Sequence, residues 1–430
     1  MRPIFLQNAR ILDPSCDMDE KGHILVVDGK IAGTGGGIAA PEDAVSIDLH
    51  GLWAAPGLID MHVHLREPGE EYKETIETGT AAAAAGGFSA VACMPNTNPV
   101  NDSSAVTRFI IERARATGSA KVYPVAAVTK GLKGEELAEF QDLMLAGAIA
   151  FSDDGNPVSD PGMMRLALQY ATGFGALLIS HAEERGLSRG RFLNEGRVST
   201  MLGLSGIPSA AEDIAVFRDV RLAEFVGARL HVAHVSTKGT VDIIREAKAK
   251  GVKVTAETAP HYFSLTEDAV IGYNTNAKMN PPLRREEDRL AIIEGLMDCT
   301  IDAIATDHAP HSRLEKEIEF ELAANGIIGL ETAVPLALEL FRQSFLSPLD
   351  VIRCLSSNPA GILRVKGGSL KAGGDADICV IDPEAEFSVT RENLRSRSCN
   401  TPFLGKVLKG RAVLTLLDGL PVHNLLGVVF

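Results

Sequence analysis

Two histidines separated by one residue follow a short apolar run, 54–59. They are His62 and His64, and Arg66 stands two residues further on. On a β-strand side chains alternate with period two, so all three would lie on one face. Two converging imidazoles form half of a divalent metal site, and a neighbouring guanidinium would hold an anionic end of a substrate. The competing interpretation is a pair of buried histidines whose hydrogen bonds are satisfied in the core.

Further polar residues stand at the ends of later apolar runs. They are Asn96, the pair Asp153 and Asp154, His181, the pair His231 and His234, and the group Asp307, His308 and His311. All of them lie at the carboxyl ends of predicted strands, which is the face where barrel enzymes build active sites. This regularity favours a metal site over a set of packed core histidines.

The alternation of side chains along a strand decides between some of these candidate ligands but not between others. His231 and His234 are three residues apart, so on one strand they face opposite ways. His234, at the strand end, is the better ligand, and His231 is expected to be a packed or supporting residue. The physical argument does not choose between Asp153 and Asp154.

The remaining histidines are expected to lie outside the site. His50 and His423 belong to the ends of the chain and His23 to a loop, so a surface position is expected for all three. His261 follows a predicted strand directly after a proline, and it is expected to support the site without binding a metal.

The candidate ligands offer nitrogen and oxygen without a thiolate, which fits a catalytic zinc or a similar divalent ion. Four histidines and two carboxylates exceed the needs of one four-coordinate ion, and they suit two ions about 3.5–4 Å apart. Such ions lower the pKa of water from ~15.7 to about 7. Asp307 would both touch a metal and move a proton. Its alternative role is a helix N-cap.

Short apolar strands alternate with helices from position 57 to about 310. The predicted strands are 58–64, 88–94, 122–128, 149–152, 176–180, 230–234, 252–257 and 303–306. The predicted helices are 73–85, 104–116, 135–146, 161–171, 209–226, 240–250, 286–297 and 330–341. A capping box is predicted at Ser209–Glu212. This α/β pattern predicts a parallel sheet buried on both faces, and its count fits a (β/α)₈ TIM-like barrel. Both chain ends are β-rich, with a hairpin signal at Asp28-Gly29.

Composition narrows the class of protein. The net charge of −14 over 430 residues argues against a nucleic acid or an anionic membrane as partner. The six cysteines are scattered without a Cys-x-x-Cys pair, which is typical of free thiols in a reducing compartment. No secretory leader and no apolar run of about 18 residues is found in the sequence. A cytoplasmic protein with a small-molecule substrate is expected.

Two stretches resemble the paired signatures of the dihydroorotase family. They are DMHVHLREP at 60–68 and ATDHAPHSRLEK at 305–316. The motifs at 94–97, 152–155, 231–237, 278–284 and 326–331 follow in the family's order and resemble its class I members. The tail at 368–377 is similar to the return of an amidohydrolase chain to its β-sandwich. The resemblance covers essentially the whole chain.

The resemblance implies a fold and an activity. The fold would be an amidohydrolase-type (β/α)₈ barrel at 55–364, with a small β-sandwich built from both chain ends, 1–54 and 365–430. The activity would be reversible, zinc-dependent cyclisation of N-carbamoyl-L-aspartate to L-dihydroorotate, a step of pyrimidine biosynthesis.

The resemblance also implies residue roles. Two zinc ions would be held by His62, His64 and Asp307, and by His181 and His234, with Asp154 as the bridging ligand. Asp307 would be the catalytic residue. The substrate would be bound by Arg66, Asn96, Asn280, His311 and the backbone at Asn325 and Gly326. The family commonly has an aromatic residue where Asn325 stands, so ring packing at that position is not expected here.

Two relatives of different function serve as alternatives. Hydantoinases and allantoinases share the fold, but many bridge their metals with a carboxylated lysine near the end of the fourth strand, and 150–155 contains no lysine. A catalytically silent homologue that scaffolds aspartate transcarbamoylase would typically lack several ligands, and none is missing here. A homodimer and an association with aspartate transcarbamoylase are expectations from the family alone.

Overall fold

The computed structural model describes residues 2–429, in which a central region of alternating strands and helices is flanked by two β-rich ends. The strands are β1 (Ile4–Asp13), β2 (Met18–Val27), β3 (Lys30–Gly35), β4 (Val45–Asp48), β5 (Trp53–Pro56), β6 (Leu58–Val63), β7 (Phe88–Cys93), β8 (Lys121–Ala126), β9 (Ala150–Ser152), β10 (Leu177–Ser180), β11 (Leu193–Asn194), β12 (Gly206–Ile207), β13 (Arg229–Val232), β14 (Val254–Thr258), β15 (Ala303–Ile304), β16 (Ile378–Ser388), β17 (Val407–Leu417) and β18 (Leu420–Asn424).

Helices follow most of the central strands. The α-helices are α1 (Ile76–Ala85), α2 (Ser104–Thr117), α3 (Phe140–Ala146), α4 (Pro161–Phe174), α5 (Arg185–Ser188), α6 (Arg197–Leu202), α7 (Ala210–Val226), α8 (Lys238–Ala249), α9 (Pro260–Ser264), α10 (Glu286–Met297), α11 (Arg313–Lys316), α12 (Ala333–Arg342), α13 (Pro348–Ile352) and α14 (Asn358–Leu363).

Eight strands of the central region pair in parallel and form a nearly closed barrel. Their order is β6, β7, β8, β9, β10, β13, β14 and β15. The last gap closes beyond β15, where Val63 pairs with His308 and the amide of His64 donates to His308 O at 2.8 Å. Helices cover the outside, so every residue of β6 and β7 is buried. The predicted TIM-like barrel is confirmed.

Strands from both chain ends form a second sheet. Its order is β18, β17, β16, β5, β1, β2 and β3, with β4 paired to β1, and most of its pairs are antiparallel. The sheet has its own apolar core, in which Leu6, Ile24 and Val380 are buried. Because β5 belongs to this sheet and β6 to the barrel, the chain passes between them at Gly57. The domain limits 1–54, 55–364 and 365–430 stay predictions.

The helix starts differ most from the sequence prediction. Helix α1 begins at Ile76, because Thr75 caps it by accepting from the amide of Thr78 at 3.1 Å. The predicted capping box at Ser209 is wrong, since the Ser209 side chain makes no cap hydrogen bond. Glu212 instead accepts from the amide of Ser236 at 2.9 Å and so holds the turn after β13.

Candidate active site

Six side chains from the ends of five barrel strands meet at one mouth of the barrel. None of them is more than 8% exposed, and they are His62 in β6, His64 just beyond it, Asp154 after β9, His181 after β10, His234 after β13 and Asp307 after β15. Parallel strands bring their carboxyl ends to the same face, which is why residues so distant in the chain converge.

Asp154 lies at the centre of this cluster. Its Oδ1 is 3.3 Å from His62 Nε2, 3.3 Å from His181 Nδ1 and 3.5 Å from His234 Nε2. Its Oδ2 is 3.5 Å from His64 Nε2. A single carboxylate therefore faces all four imidazoles, as a bridging ligand would.

Asp307 completes the second half of the cluster. Its Oδ1 lies 3.2 Å from His64 Nε2 and 3.6 Å from His62 Nε2. Two groups of three, His62, His64 and Asp307 and then His62, Asp154 and His234, each have ligand atoms within 4.8 Å of one another.

The chemistry of this cluster fits a divalent metal. His62 Nε2 and Asp154 Oδ1 are buried without a hydrogen-bond partner, although they lie only 3.3 Å apart. Buried polar atoms are normally satisfied, and a cation between them would satisfy both. The donors are imidazole nitrogen and carboxylate oxygen, which suit zinc and related ions.

The imidazoles lower the pKa of both carboxylates. Burial would raise the pKa of Asp154, but the charge of His62 and the close approach of the His181 and His234 rings hold it well below its ordinary value. Burial likewise opposes ionisation of Asp307, and its hydrogen bond with His64 lowers its pKa overall. Both carboxylates are therefore ionised and available to bind a cation.

Three of the imidazoles are oriented by a partner on the side away from Asp154. His62 Nδ1 donates to Glu257 at 2.8 Å and His64 Nδ1 donates to Asn96 Oδ1 at 2.8 Å. His181 Nε2 lies 3.4 Å from Glu183. Such partners decide which ring nitrogen faces a metal.

Left-handed backbone turns aim several of the site residues. Arg66, His234 and Asp307 have φ of 62°, 36° and 49°. Residues other than glycine adopt this region at a cost, and it is common at functional sites. Because β6 ends at Val63, Arg66 reaches the cavity through its own turn, and the predicted alternation does not extend to it.

The choice between the two neighbouring aspartates is made by hydrogen bonding. Asp153 Oδ1 accepts from the amides of Val128 at 2.8 Å and Thr129 at 3.0 Å, and its other oxygen accepts from the Thr129 hydroxyl. Burial outweighs these bonds and raises the pKa of Asp153 to about 6. Asp153 therefore holds the loop after β8, while Asp154 faces the histidines.

A cavity of about 240 Å³ opens directly above the cluster. It is lined by His64, Arg66, Asn96, Asp154, Gly155, His181, His234, Asn280, Asp307, Ala309, His311, Asn325 and Gly326. All six residues predicted to bind the substrate are in this lining. Because they share the cavity with the candidate metal ligands, one small molecule can touch both.

His311 and Asn280, like Arg66 and Asn96, already hold hydrogen bonds within the protein. His311 Nε2 donates to the carbonyl of Asn325 at 2.8 Å. Burial and the charge of Arg66 lower the pKa of His311 to about 2, so its ring is neutral. The amide of Asn280 donates to Glu183 at 2.5 Å, which leaves its carbonyl oxygen free to accept.

The other histidines differ in their positions. His231 is fully buried and packs beside the cluster, with Nε2 3.3 Å from Glu257, in agreement with its predicted supporting place. His261 is buried, and burial lowers its pKa to about 4. His50 is exposed, as predicted, and His23 is half-buried. His423 is half-buried as well, with its Nε2 buried, so the surface position predicted for His23 and His423 is met only in part.

Several residues of the site were not found from the sequence. Glu257 ends the seventh predicted strand, so the rule that found the ligands could also have found it. Glu183 lies two residues after His181 in a loop. Asn400, which contacts the cavity wall, gives no signal in the sequence because it lies between β16 and β17 in the tail.

The barrel and its cluster of histidines and aspartates define a metal-dependent amidohydrolase. A family model described as "Dihydro-orotase-like" matches residues 52–240. The chain is 56% identical over 421 residues to dihydroorotase of Geotalea daltonii and 57% identical over 422 residues to that of Syntrophotalea carbinolica. Each match covers 98% of this chain and 99% of the relative. This chain therefore belongs to the dihydroorotase family.

The fold is also found in a solved structure of different specificity. The L-hydantoinase (dihydropyrimidinase) of Arthrobacter aurescens matches with a TM-score of 0.89 at 25% identity, over 100% of this chain and 98% of that chain. Within residues 2–429, no helix is both long and apolar enough to cross a membrane.

Proposed function

We propose that this protein is a dihydroorotase, which closes N-carbamoyl-L-aspartate to L-dihydroorotate reversibly in pyrimidine biosynthesis. The observation that carries the proposal is the shared cavity, in which the Arg66 guanidinium and the cluster around Asp154 line one space of about 240 Å³. That arrangement suits a small cyclic amide that carries a carboxylate. The names and high identity of the relatives support the same activity.

We further propose that the cluster holds two zinc ions. His62, His64 and Asp307 would hold one, His181 and His234 the other, and Asp154 would bridge them. When bound, such ions activate water and polarise the amide carbonyl. The buried, unpartnered His62 Nε2 and Asp154 Oδ1 support this assignment.

Asp307 is the proposed general base and acid. In the hydrolytic direction the ring carbon–nitrogen bond breaks as water adds to the carbonyl carbon. The Asp307 carboxylate takes the proton of the attacking water and delivers it to the departing ring nitrogen. Its position beside His64, in the lining of the cavity, supports this role.

Arg66 binds the carboxylate of the substrate. Its Nε donates to the carbonyl of Pro310 at 3.2 Å and its Nη2 lies 3.3 Å from His311 Nε2, so the guanidinium is held in the cavity lining from two sides. A held guanidinium aligns the ring as well as binding it. Asn96, Asn280, His311 and the backbone of Asn325 and Gly326 would complete the contacts.

Hydantoinase activity is the second candidate, because the barrel matches the L-hydantoinase of Arthrobacter aurescens closely. Two features disfavour it. Residues 150–155 contain no lysine to be carboxylated, and Asp154 stands at the centre of the cluster instead. A neutral hydantoin also has no carboxylate to need Arg66.

The decisive experiment measures metal content and activity on one sample. The protein is purified without chelator, its zinc is counted by elemental analysis, and hydrolysis of dihydroorotate, hydantoin and allantoin is compared. Two zinc ions per chain, with much higher activity on dihydroorotate than on hydantoin or allantoin, are expected. Activity on hydantoin or allantoin that exceeds activity on dihydroorotate would overturn the assignment. A folded protein that binds no metal would instead support the catalytically silent homologue. A cytoplasmic location, a homodimer and an association with aspartate transcarbamoylase stay predictions.

A further inference from the structure

A segment of the C-terminal region crosses from the terminal sheet to the mouth of the barrel. We call residues 395–401 the strap. The amides of Arg395 and Ser396 donate to Glu331 at 2.8 and 3.1 Å, and the hydroxyl of Ser398 donates to the carbonyl of Lys73 at 2.8 Å. The strap is therefore anchored to two separate parts of the barrel before it reaches Asn400.

Asn400 makes three side-chain hydrogen bonds and is only 4% exposed. Its Oδ1 accepts from the amide of His311 at 3.0 Å. Its Nδ2 donates to the carbonyls of Ala309 and Gly326, each at 3.0 Å. A side-chain amide has one acceptor and two donor hydrogens, so its capacity is used almost fully.

These three partners belong to two different walls of the cavity. Ala309 and His311 follow β15, and Gly326 lies on the next loop. The two backbones pair where the amide of Ala309 donates to the carbonyl of Ile327 at 2.7 Å. His311 Nε2 also donates to the carbonyl of Asn325 at 2.8 Å, and between these two direct links the Asn400 amide bonds to both backbones.

The two walls approach each other closely at this point. Gly326 has φ of +121°, and a Cβ added to it would lie 2.6 Å from the Cβ of Ala309. Only glycine permits both that backbone conformation and that approach. The width of the cavity there consequently depends on the bonds that hold Gly326 against Ala309.

We propose that Asn400 is a positioning residue that fixes the separation of the 309–311 and 325–326 walls and so shapes the substrate cavity. Lys316 also donates to the carbonyl of Gly326, at 3.1 Å, and the amide of Gly326 donates to the carbonyl of Lys278 at 3.0 Å. These bonds hold the 326 loop from its other side. Loss of Asn400 therefore loosens the junction between the walls and leaves the 326 loop itself anchored.

The test compares Asn400→Ala and Asn400→Asp with a matched control, Asn194→Ala. Asn194 is also a buried asparagine, with its amide donating to Glu267 at 2.6 Å and its Oδ1 accepting from Arg284 at 3.1 Å, and none of these residues lines the cavity. Amide hydrogen exchange, zinc content, Tm and the kinetic constants for dihydroorotate are measured on each full-length protein.

In Asn400→Ala the amide of His311 is expected to exchange faster, since it loses the Oδ1 acceptor, and KM is expected to rise about tenfold, since the two donor bonds that join the walls are lost as well. Zinc content should stay at the wild-type value. Asn400→Asp keeps an acceptor for His311, so its amide stays protected while KM still rises. Asn194→Ala should lower Tm without changing KM.

Unchanged exchange at His311 in Asn400→Ala overturns the proposal, and so does an equal rise of KM in Asn194→Ala. If Asn400→Ala does not fold, a wild-type KM in Asn400→Asp overturns it. The kinetic arm rests on the proposed function. Should the wild type fail to hydrolyse dihydroorotate, that function fails, while hydrogen exchange still decides the role of Asn400.

Discussion

Glu257 and His62 form a buried pair, in which Glu257 Oε1 lies 2.8 Å from His62 Nδ1 and each residue is at most 1% exposed. Because Nδ1 donates to this carboxylate, Nε2 must face Asp154. Burial opposes the charge of Glu257, but the adjacent His231 ring and the hydrogen bond from His62 lower its pKa to about 2. An ionised carboxylate behind the ring therefore orients one of the candidate metal ligands.

Glu257→Gln is expected to weaken zinc binding about 10- to 100-fold, since the neutral amide holds the tautomer of His62 less firmly and lowers its basicity. The measurement is zinc affinity by chelator competition, with the fold checked by circular dichroism. Glu267→Gln is the control, because Glu267 is a buried carboxylate that does not line the site. An unchanged zinc affinity in Glu257→Gln would contradict the role given to Glu257.

Alanine substitution of the two neighbouring aspartates should affect two different properties, zinc content and stability. Asp154→Ala is expected to lose zinc, because Asp154 faces all four imidazoles. Asp153→Ala should keep zinc but lose about 1–3 kcal/mol of stability, because it leaves the amides of Val128 and Thr129 unsatisfied. Elemental analysis and urea unfolding check both. Loss of zinc in Asp153→Ala with retention of zinc in Asp154→Ala would show that Asp153 binds the metal and Asp154 does not.

Asp307→Asn should lower kcat for dihydroorotate by about 10²- to 10⁴-fold, since an amide cannot take up the proton. The barrel should remain folded, because Asp307 ends no helix and caps none within 2–429. Steady-state kinetics and circular dichroism give the two readouts. Wild-type turnover in this variant would remove Asp307 from the mechanism.

Arg66→Ala should chiefly raise KM for carbamoyl aspartate, by roughly 10- to 100-fold, because a charged hydrogen bond contributes about 1.5–3 kcal/mol. A neutral ring such as hydantoin provides the internal comparison, since it has no carboxylate to lose. Kinetics on both compounds check this. Impairment on the neutral ring alone would show that Arg66 serves a different substrate.

Glu331 is expected to make stability depend on pH. Burial raises its pKa to about 7, against hydrogen bonds from the amides of Ser396 and Arg395. Between about 4.5 and 7 the folded state binds more protons at this group than the unfolded state, so its contribution lowers stability as pH rises. Glu331→Gln should therefore gain in Tm relative to the wild type at pH 8 more than at pH 5. Glu42→Gln, on the exposed surface, is the control, and a pH-independent difference at 331 would contradict the assignment.

The sequence was sufficient to predict the barrel and most of the candidate metal ligands, apart from the choice between Asp153 and Asp154. Strand ends carry a local signal, because a short apolar run followed by a histidine or an aspartate is visible without any tertiary information. His62, His181 and His234 were found in this way, and the structure brings them to one mouth of the barrel. The alternation of side chains does not predict the direction of Arg66, because the strand has ended before it and a left-handed turn orients the residue.

By itself, the sequence determined the class of fold, the nitrogen and oxygen chemistry of the cluster and the cavity residues carried by its motifs. Only the tertiary structure decided that Asp154 and not Asp153 faces the histidines, that Glu257 stands behind His62, and that Asn400 joins two cavity walls. The Glu257 and Asn400 contacts join residues 195 and 89 positions apart. The direction of a side chain beyond a strand end, and its hydrogen-bond partner across the barrel, depend on how the whole chain packs, and no local pattern encodes them.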